Sequence, residues 1–114
     1  MALFAQTLDL VNDRERIAEY DRYHAEVWPE VVASLRSIGI TSMHLFRTGT
    51  RLFMVVEAPE TFDPTRDYQQ YAQDPRCQEW DELMRTYQQP IPTARKDEWW
   101  TPMDLLFTFE DTSL

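Results

Sequence analysis

Cysteine, glycine and basic side chains are scarce in this chain of 114 residues, and each shortage excludes a class of function. Cys77 is the single cysteine, so neither an intramolecular disulfide nor a cysteine-based metal site can form. Two glycines are too few for a Gly-rich phosphate-binding loop, and neither a GxGxxG nor a P-loop pattern is present. Eleven basic residues against twenty acidic ones give a net charge of -9, which argues against nucleic acid or an anionic membrane surface as the partner.

Long apolar segments are missing as well. No apolar run approaches the roughly 18 residues of a membrane-spanning helix, and no secretory leader is predicted. We therefore expect a cytoplasmic protein that binds a neutral or weakly charged small molecule. The length fits one domain over residues 1–114, and 43% hydrophobic with 13% aromatic residues is a composition that builds an ordinary core.

The segment from Tyr20 to Glu30 is the most informative part of the sequence, because it places a phenol, an imidazole and an indole four residues apart at Tyr20, His24 and Trp28. Residues i and i+4 are neighbours on a helix, so Tyr20 and His24 should share one face. Ile17, seven residues before His24, predicts that this face points inward. Histidine exchanges protons near neutrality, so an inward imidazole beside a hydroxyl is a candidate acid–base site.

Proline interrupts this helical pattern. Asn12 and Asp13 are good N-cap residues and predict the start of the first helix. Pro29 does not fit inside a helix, and it disfavours helical geometry at the residue before it. The sequence therefore predicts a break near residues 26–28 and a second helix, with Pro29 at its first position and Gly39 after its end.

The rest of the chain predicts further strands and helices. Alternating apolar residues and turn signals predict strands at residues 4–11, 40–47, 51–57 and 103–109, the last with Leu105 and Phe107 on one face. Asp63-Pro64 and Asp74-Pro75 each predict an N-cap followed by a helical first turn, so two short helices should occupy about residues 63–88. Residues 88–101 should be irregular. An apolar stripe is predicted on the last helical segment by Cys77, Trp80, Met84 and Tyr87.

The predicted order β-α-β-β-α-β is that of an α+β, ferredoxin-like fold, in which four antiparallel strands carry helices on one face. The other face of the sheet is also apolar, and no helix is predicted to cover it. The simplest cover is a second copy packed sheet against sheet, so we expect a homodimer.

Four sequence elements occur in order over about residues 3–110. They are Tyr20-x-x-x-His24-x-x-x-Trp28-Pro29-Glu30, then Gly39 before a strand, Leu52-Phe53, and Cys77-Gln78-x-Trp80. Together they resemble the L-rhamnose mutarotase family. The resemblance implies a dimeric α+β barrel that interconverts the α and β pyranose anomers of a 6-deoxy-L-hexose, with no metal and no organic cofactor. It implies that His24 is the proton donor and that Tyr20 contacts the sugar.

Two family positions differ in this sequence. The strand tyrosine that contacts rhamnose in the family corresponds to Met43. The paired tryptophans of the family correspond to Trp80 and Asp81, so only the first indole is kept. Replacing a phenol and an indole changes how ring hydroxyls are recognised, and the pattern is also similar to proteins of L-fucose pathways. The resemblance therefore favours L-fucose modestly over L-rhamnose.

Mutarotation requires a proton delivered to the ring oxygen and one removed from the anomeric hydroxyl. One positioned general acid or base contributes about 10²–10⁴-fold. We assign His24 as the acid–base residue and Tyr20 as its hydroxyl-bearing partner. Trp28, Trp80 and either Trp99 or Trp100 are predicted to form flat apolar walls against the sugar. Met43 is predicted to contact the sugar because it occupies the position of the family's tyrosine. Asp81 is predicted to accept hydrogen bonds from sugar hydroxyls.

Ordinary structural roles and two other functions stay open at this point. An inward His24 is compatible with a core residue, Trp80 has ordinary core spacing, and Trp99 and Trp100 are equally compatible with a dimer interface. We interpret His44 as structural. A haem-degrading or quinol-type monooxygenase on the same barrel would use His24 as an axial ligand, although the acidic charge suits haem propionates poorly. The second alternative is a non-catalytic sugar-binding or interaction module.

Overall fold

A computed structural model describes residues 1–111 of the chain. The last three residues of the predicted domain, 112–114, lie outside the described part. The elements are β1 (Ala2–Leu10), α1 (Arg14–Ala25), α2 (Pro29–Ser37), β2 (Ser42–Thr48), β3 (Arg51–Ala58), α3 (Pro64–Tyr71), α4 (Pro75–Arg85), β4 (Gln88–Gln89) and β5 (Thr101–Met103).

The strands form one antiparallel sheet with β1 at its centre. Strand β3 pairs along the whole of β1, from Ala2 opposite Ala58 to Asp9 opposite Arg51. Strand β2 pairs with the outer edge of β3, while β4 and β5 share the other edge of β1. The order β2-β3-β1-β4 confirms the predicted α+β, ferredoxin-like arrangement, with each of its two helical connections divided into two helices.

The predicted helix starts are confirmed by their caps, whereas the last helix ends at Arg85 and not near the predicted residue 88. The carboxylates of Asp13, Asp63 and Asp74 each accept hydrogen bonds from backbone N–H groups of the first turn that follows. Pro29 opens α2, so α1 ends before the predicted break. Gly39 follows α2 with a φ of 102°, a left-handed conformation that favours glycine.

The two faces of the sheet have different surroundings. Side chains alternate between faces along a strand, so Leu8, Leu10, Leu52 and Val56 point toward the helices, where they are almost fully buried. The opposite, open face carries exposed Phe46, half-buried Phe53 and Val55, and other apolar side chains. This confirms that the predicted uncovered apolar face exists in the single chain.

The prediction for the last strand was wrong. Pairing with β1 begins at Thr101 and ends at Met103, opposite Ala5, and no strand continues from there to Phe109 within the described residues. Four apolar residues of this tail are 68–92% exposed, namely Leu105, Leu106, Phe107 and Phe109. Their alternation indicates a need for burial, but it does not identify a partner strand in the same chain.

The region predicted to be irregular also contains a strand. Gln88 and Gln89 form β4, which pairs with Leu10 and Asp9 at the edge of the sheet. Two residues are too few for a recognisable alternation, so the sequence pattern did not show this strand.

Among the helices of the described residues, none combines the length and the hydropathy needed to cross a bilayer.

Candidate functional site

The main cavity lies between the helix-covered face of the sheet and the four helices, with a volume of about 1060 Å³. Small-molecule pockets commonly measure roughly 300–1,000 Å³, so the space is ample for a monosaccharide. Most of the predicted site residues line it: Tyr20, His24, Met43, Trp80, Asp81, Trp99 and Trp100. Trp28 does not, and His44 is exposed on the open face of the sheet.

Tyr20 and His24 lie on one face of α1, as their spacing predicts. The Nδ1 atom of His24 lies 2.8 Å from the backbone carbonyl oxygen of Tyr20. A carbonyl oxygen only accepts, so Nδ1 carries the proton and donates it. Within residues 1–111, Nε2 of His24 has no hydrogen-bond partner, so this nitrogen is available to a ligand in the cavity.

The partial burial of His24 changes its proton affinity. Burial lowers the pKa of the imidazole below its ordinary value. The hydrogen bond to the Tyr20 carbonyl and the negative charge of Asp21 oppose this shift. Because burial dominates, the neutral imidazole is favoured at neutral pH, and its Nε2 lone pair can accept a proton.

Asp21 is itself held by an ion pair at the border of the cavity. Arg47 of β2 donates from Nε to one carboxylate oxygen of Asp21 at 2.8 Å and from Nη2 to the other. It also donates to the carbonyl oxygen of Gly49 at 2.9 Å. The ion pair lowers the pKa of Asp21. The positive charge of Arg47 also partly offsets the negative charge of Asp21, which acts on His24 across one helical turn.

Tyr20 belongs to a chain of hydrogen bonds that the sequence pattern did not indicate. Nε1 of Trp99 donates to Oε1 of Gln88 at 2.9 Å, and Nε2 of Gln88 donates to the Tyr20 hydroxyl at 3.0 Å. All three residues line the cavity. Gln88 is 68 positions from Tyr20 and lies on a two-residue strand, so no local spacing connects them.

The Tyr20 hydroxyl keeps its proton over the physiological range. Burial raises its pKa to about 12, with a small further contribution from Asp21 and an opposing one from the Gln88 hydrogen bond. A phenol with this pKa is a hydrogen-bond donor to a ligand and a poor source of a transferred proton.

Trp80 forms the aromatic wall beside His24. It is buried on α4, and its ring meets the His24 ring edge to face, with centroids 5.5 Å apart. The other members of the predicted stripe, Cys77, Met84 and Tyr87, are buried too, so Trp80 serves the core and the cavity at once.

Trp28 lies behind Trp80 and not in the cavity. Their ring centroids are 5.2 Å apart, and the guanidinium of Arg76 lies over the Trp28 ring at 4.0 Å. Pro29 is the reason, because it makes Trp28 the N-cap of α2, with extended backbone angles that turn it away from the face shared by Tyr20 and His24.

Asp81 supplies a second polar position on the cavity wall. Its Oδ1 accepts a hydrogen bond from the Tyr71 hydroxyl at 3.1 Å, and its Oδ2 has no partner within the described residues. Burial raises the pKa of this carboxyl, while the Tyr71 hydrogen bond and the charge of Arg85 act in the opposite direction. The arrangement leaves one carboxylate oxygen for a ligand hydroxyl.

Metal ligation has no support in the described part of the chain. Among residues 1–111, no group of three or more His, Cys, Asp or Glu side chains is placed to hold a metal ion. The groups that line the cavity are an imidazole, a phenol, a carboxylate and aromatic walls, which suit proton transfer on a neutral, hydroxyl-rich ligand.

Comparisons with known proteins identify the family of the chain. The chain matches the family model for L-rhamnose mutarotase over residues 3–109. A UPF0734 protein of Dictyostelium discoideum is 50% identical over 111 residues, covering 94% of this chain and 89% of that protein. An L-fucose mutarotase of Xanthomonas campestris pv. campestris is 39% identical over 113 residues, covering 97% and 90%.

A solved structure shares the fold. The crystal structure of an L-rhamnose mutarotase from Formosa agariphila superposes with a TM-score of 0.71 and covers 96% of this chain and 100% of that one. Its identity to this chain is 18%, so this likeness concerns the arrangement of helices and strands.

Proposed function

The chain belongs to the L-rhamnose mutarotase family, and on that premise we propose that it interconverts the α and β pyranose anomers of a 6-deoxy-L-hexose by acid–base catalysis at His24. The family makes the protein an isomerase that acts on carbohydrates. One observation carries the proposed mechanism. Nδ1–H of His24 donates a hydrogen bond to the Tyr20 carbonyl oxygen, which fixes the tautomer and leaves Nε2 without a protein partner in the cavity.

The proposed reaction moves one proton between two oxygens of the sugar. Nε2 of neutral His24 accepts the proton of the anomeric hydroxyl, the bond between C1 and the ring oxygen breaks, and a carbonyl forms at C1. The imidazolium then returns the proton to the former ring oxygen. Rotation about C1–C2 and the reverse steps close the ring from the other side. Both oxygens are bonded to C1, so one imidazole can reach both.

Tyr20 assists by donating a hydrogen bond to the ring oxygen as negative charge develops there. Its raised pKa of about 12 means that it stabilises this charge without giving up its proton. Trp80 and Trp99 offer flat apolar surfaces to the C–H groups and the methyl group of the sugar, and Met43 lines the same space. Trp28 does not contact the sugar in this proposal; it packs against Trp80 and holds that ring in place.

We propose L-fucose as the preferred sugar. Asp81 offers a carboxylate oxygen where the family resemblance expects a second indole, and the 39% identical relative is an L-fucose mutarotase. L-fucose and L-rhamnose differ in hydroxyl stereochemistry, so an acceptor on the cavity wall can discriminate between them.

We further propose that the protein works as a cytoplasmic homodimer. The open face of the sheet exposes Leu3, Phe46 and Met103, and the apolar tail after Met103 is exposed as well. Contiguous apolar surface of this kind is usually covered in solution. A second copy with the same face provides that cover through a two-fold axis.

The test is NMR exchange spectroscopy between the α and β anomeric protons, recorded for L-fucose and L-rhamnose side by side. We expect the protein to accelerate exchange of L-fucose more than that of L-rhamnose. Acceleration of neither sugar contradicts the proposed activity. A Soret band on haem addition would then favour the monooxygenase alternative, whereas sugar binding without exchange would favour a binding module.

A further inference from the structure

The hydrogen-bond chain from Trp99 through Gln88 to Tyr20 has a fixed direction. An indole N–H donates and never accepts, so the group that faces Trp99 must be an acceptor. Gln88 therefore presents its carbonyl oxygen to Trp99, at 2.9 Å, and its NH₂ group to Tyr20, at 3.0 Å. A flipped amide would place two donors against each other at Trp99 and would leave a buried oxygen facing Tyr20.

This direction determines what the Tyr20 hydroxyl can do. The hydroxyl already accepts a hydrogen bond from Gln88, and within residues 1–111 no protein atom accepts its proton. Tyr20 and Gln88 are both buried against the protein, and the open space beside them is the cavity that both line. The phenolic proton is therefore left for a ligand in the cavity, which Tyr20 lines.

We propose that Gln88, oriented by Trp99, is a positioning residue that commits the Tyr20 hydroxyl to donate to the bound sugar. The inference rests on the proposed function, because it assigns a role within the same cavity. Without Gln88 the phenol could rotate and accept from a sugar hydroxyl instead. With Gln88 in place, the Tyr20 hydroxyl donates to the ring oxygen of the sugar. This hydrogen bond strengthens as the ring oxygen gains negative charge, so it stabilises the transition state more than the bound sugar.

The first test is Gln88→Glu, which keeps the shape of the side chain and replaces the donor with an acceptor. The Tyr20 hydroxyl would then donate to this carboxylate and be lost to the sugar. We expect kcat for anomer exchange to fall about 10- to 100-fold, the range for a hydrogen bond to a charged group. Tyr20→Phe removes the same hydrogen bond, so we expect a loss of the same size. The control is Gln89→Glu, the neighbouring residue on the opposite face of the sheet, which should keep the wild-type rate.

A second variant separates positioning from packing. Gln88→Leu removes both hydrogen bonds but leaves the Tyr20 proton free, so its loss of kcat should be smaller than that of Gln88→Glu. A purely structural role predicts instead that each loss of kcat follows the loss of folding stability, measured by thermal unfolding of the same variants. In a Tyr20→Phe background, Gln88→Glu should cause no further loss. Independent, multiplicative losses in the double variant would overturn the proposal.

An NMR measurement on the protein alone tests the chain without relying on activity. The indole N–H of Trp99 should exchange slowly with solvent in the wild type and faster in Gln88→Leu. Fast exchange in the wild type overturns the chain even if the enzyme accelerates anomer exchange. Slow exchange in a wild type that accelerates neither sugar instead contradicts the proposed function, and with it the role of Gln88 in catalysis. The two failures are therefore distinguishable.

Discussion

His24 donates its Nδ1–H to the backbone carbonyl oxygen of Tyr20, one helical turn earlier, over a distance of 2.8 Å. The two rings also pack together, with centroids 4.4 Å apart. Both contacts belong to α1, so the orientation of the imidazole is set by one helix and does not depend on a loop. The fixed tautomer leaves Nε2 as the reactive atom, and the predictions below depend on that assignment.

Replacing His24 should remove most of the catalysis and keep the fold. His24→Gln retains a polar side chain but has no group that titrates near neutrality, so exchange should slow by about 10²–10⁴-fold. His24→Ala should behave in the same way. The control is His44→Gln, because the second histidine lies on the open face of the sheet. Unchanged exchange in His24→Ala with sugar binding intact would favour a non-catalytic binding module.

The pH dependence should follow the lowered pKa of His24. The neutral imidazole is the active form in the proposed first step, and burial keeps it neutral below the ordinary histidine value of about 6.5. We therefore expect kcat/KM to stay level from pH 8 down to that value and to fall only at lower pH. The measurement is an exchange rate at each pH, corrected for the uncatalysed rate. A midpoint clearly above the ordinary value would contradict the assignment.

Asp81 should affect the choice of sugar more than the chemistry. Asp81→Asn keeps the shape and, through its amide oxygen, the Tyr71 contact, while an NH₂ donor replaces the acceptor that faces the cavity. We expect kcat/KM to fall by about tenfold for L-fucose, the value of one good hydrogen bond, and by less for L-rhamnose. The matched control is Glu82→Gln, the exposed neighbour on the same helix. Equal losses for both sugars would show that Asp81 does not discriminate between them.

The sequence predicts those parts of the site that depend on local spacing. The pairing of Tyr20 with His24 follows from the helical period, and the helix boundaries follow from aspartate caps and prolines. Gln88 is not predictable in this way, because its contacts join β4 to α1 and to a loop residue, Trp99. Such contacts depend on the tertiary arrangement, which no short window of sequence contains.

Two further differences have the same origin. Pro29 predicts the break after α1, but it does not predict that Trp28, expected as a wall of the site, lies outside the cavity against Arg76. The alternation of Leu105 and Phe107 suggests a strand, although β1 pairs with this part of the chain only as far as Met103. A pattern of apolar residues predicts which side chains are buried. It does not predict which element buries them, because that element is distant in the sequence.

The open face of the sheet should hold two copies together, and Phe46 tests this most directly. Phe46 is 58% exposed in the single chain and lies beside Phe53, with ring centroids 6.1 Å apart. Phe46→Asp should cost the monomer little, since surface substitutions usually change stability by less than about 0.5 kcal/mol. In a dimer it would bury two unpaired charges, so sedimentation equilibrium should show a monomer where the wild type is a dimer. The control is Val11→Asp, an exposed apolar residue beyond the end of β1. A monomeric wild type would contradict the dimer, and the apolar tail after Met103 would then need another cover.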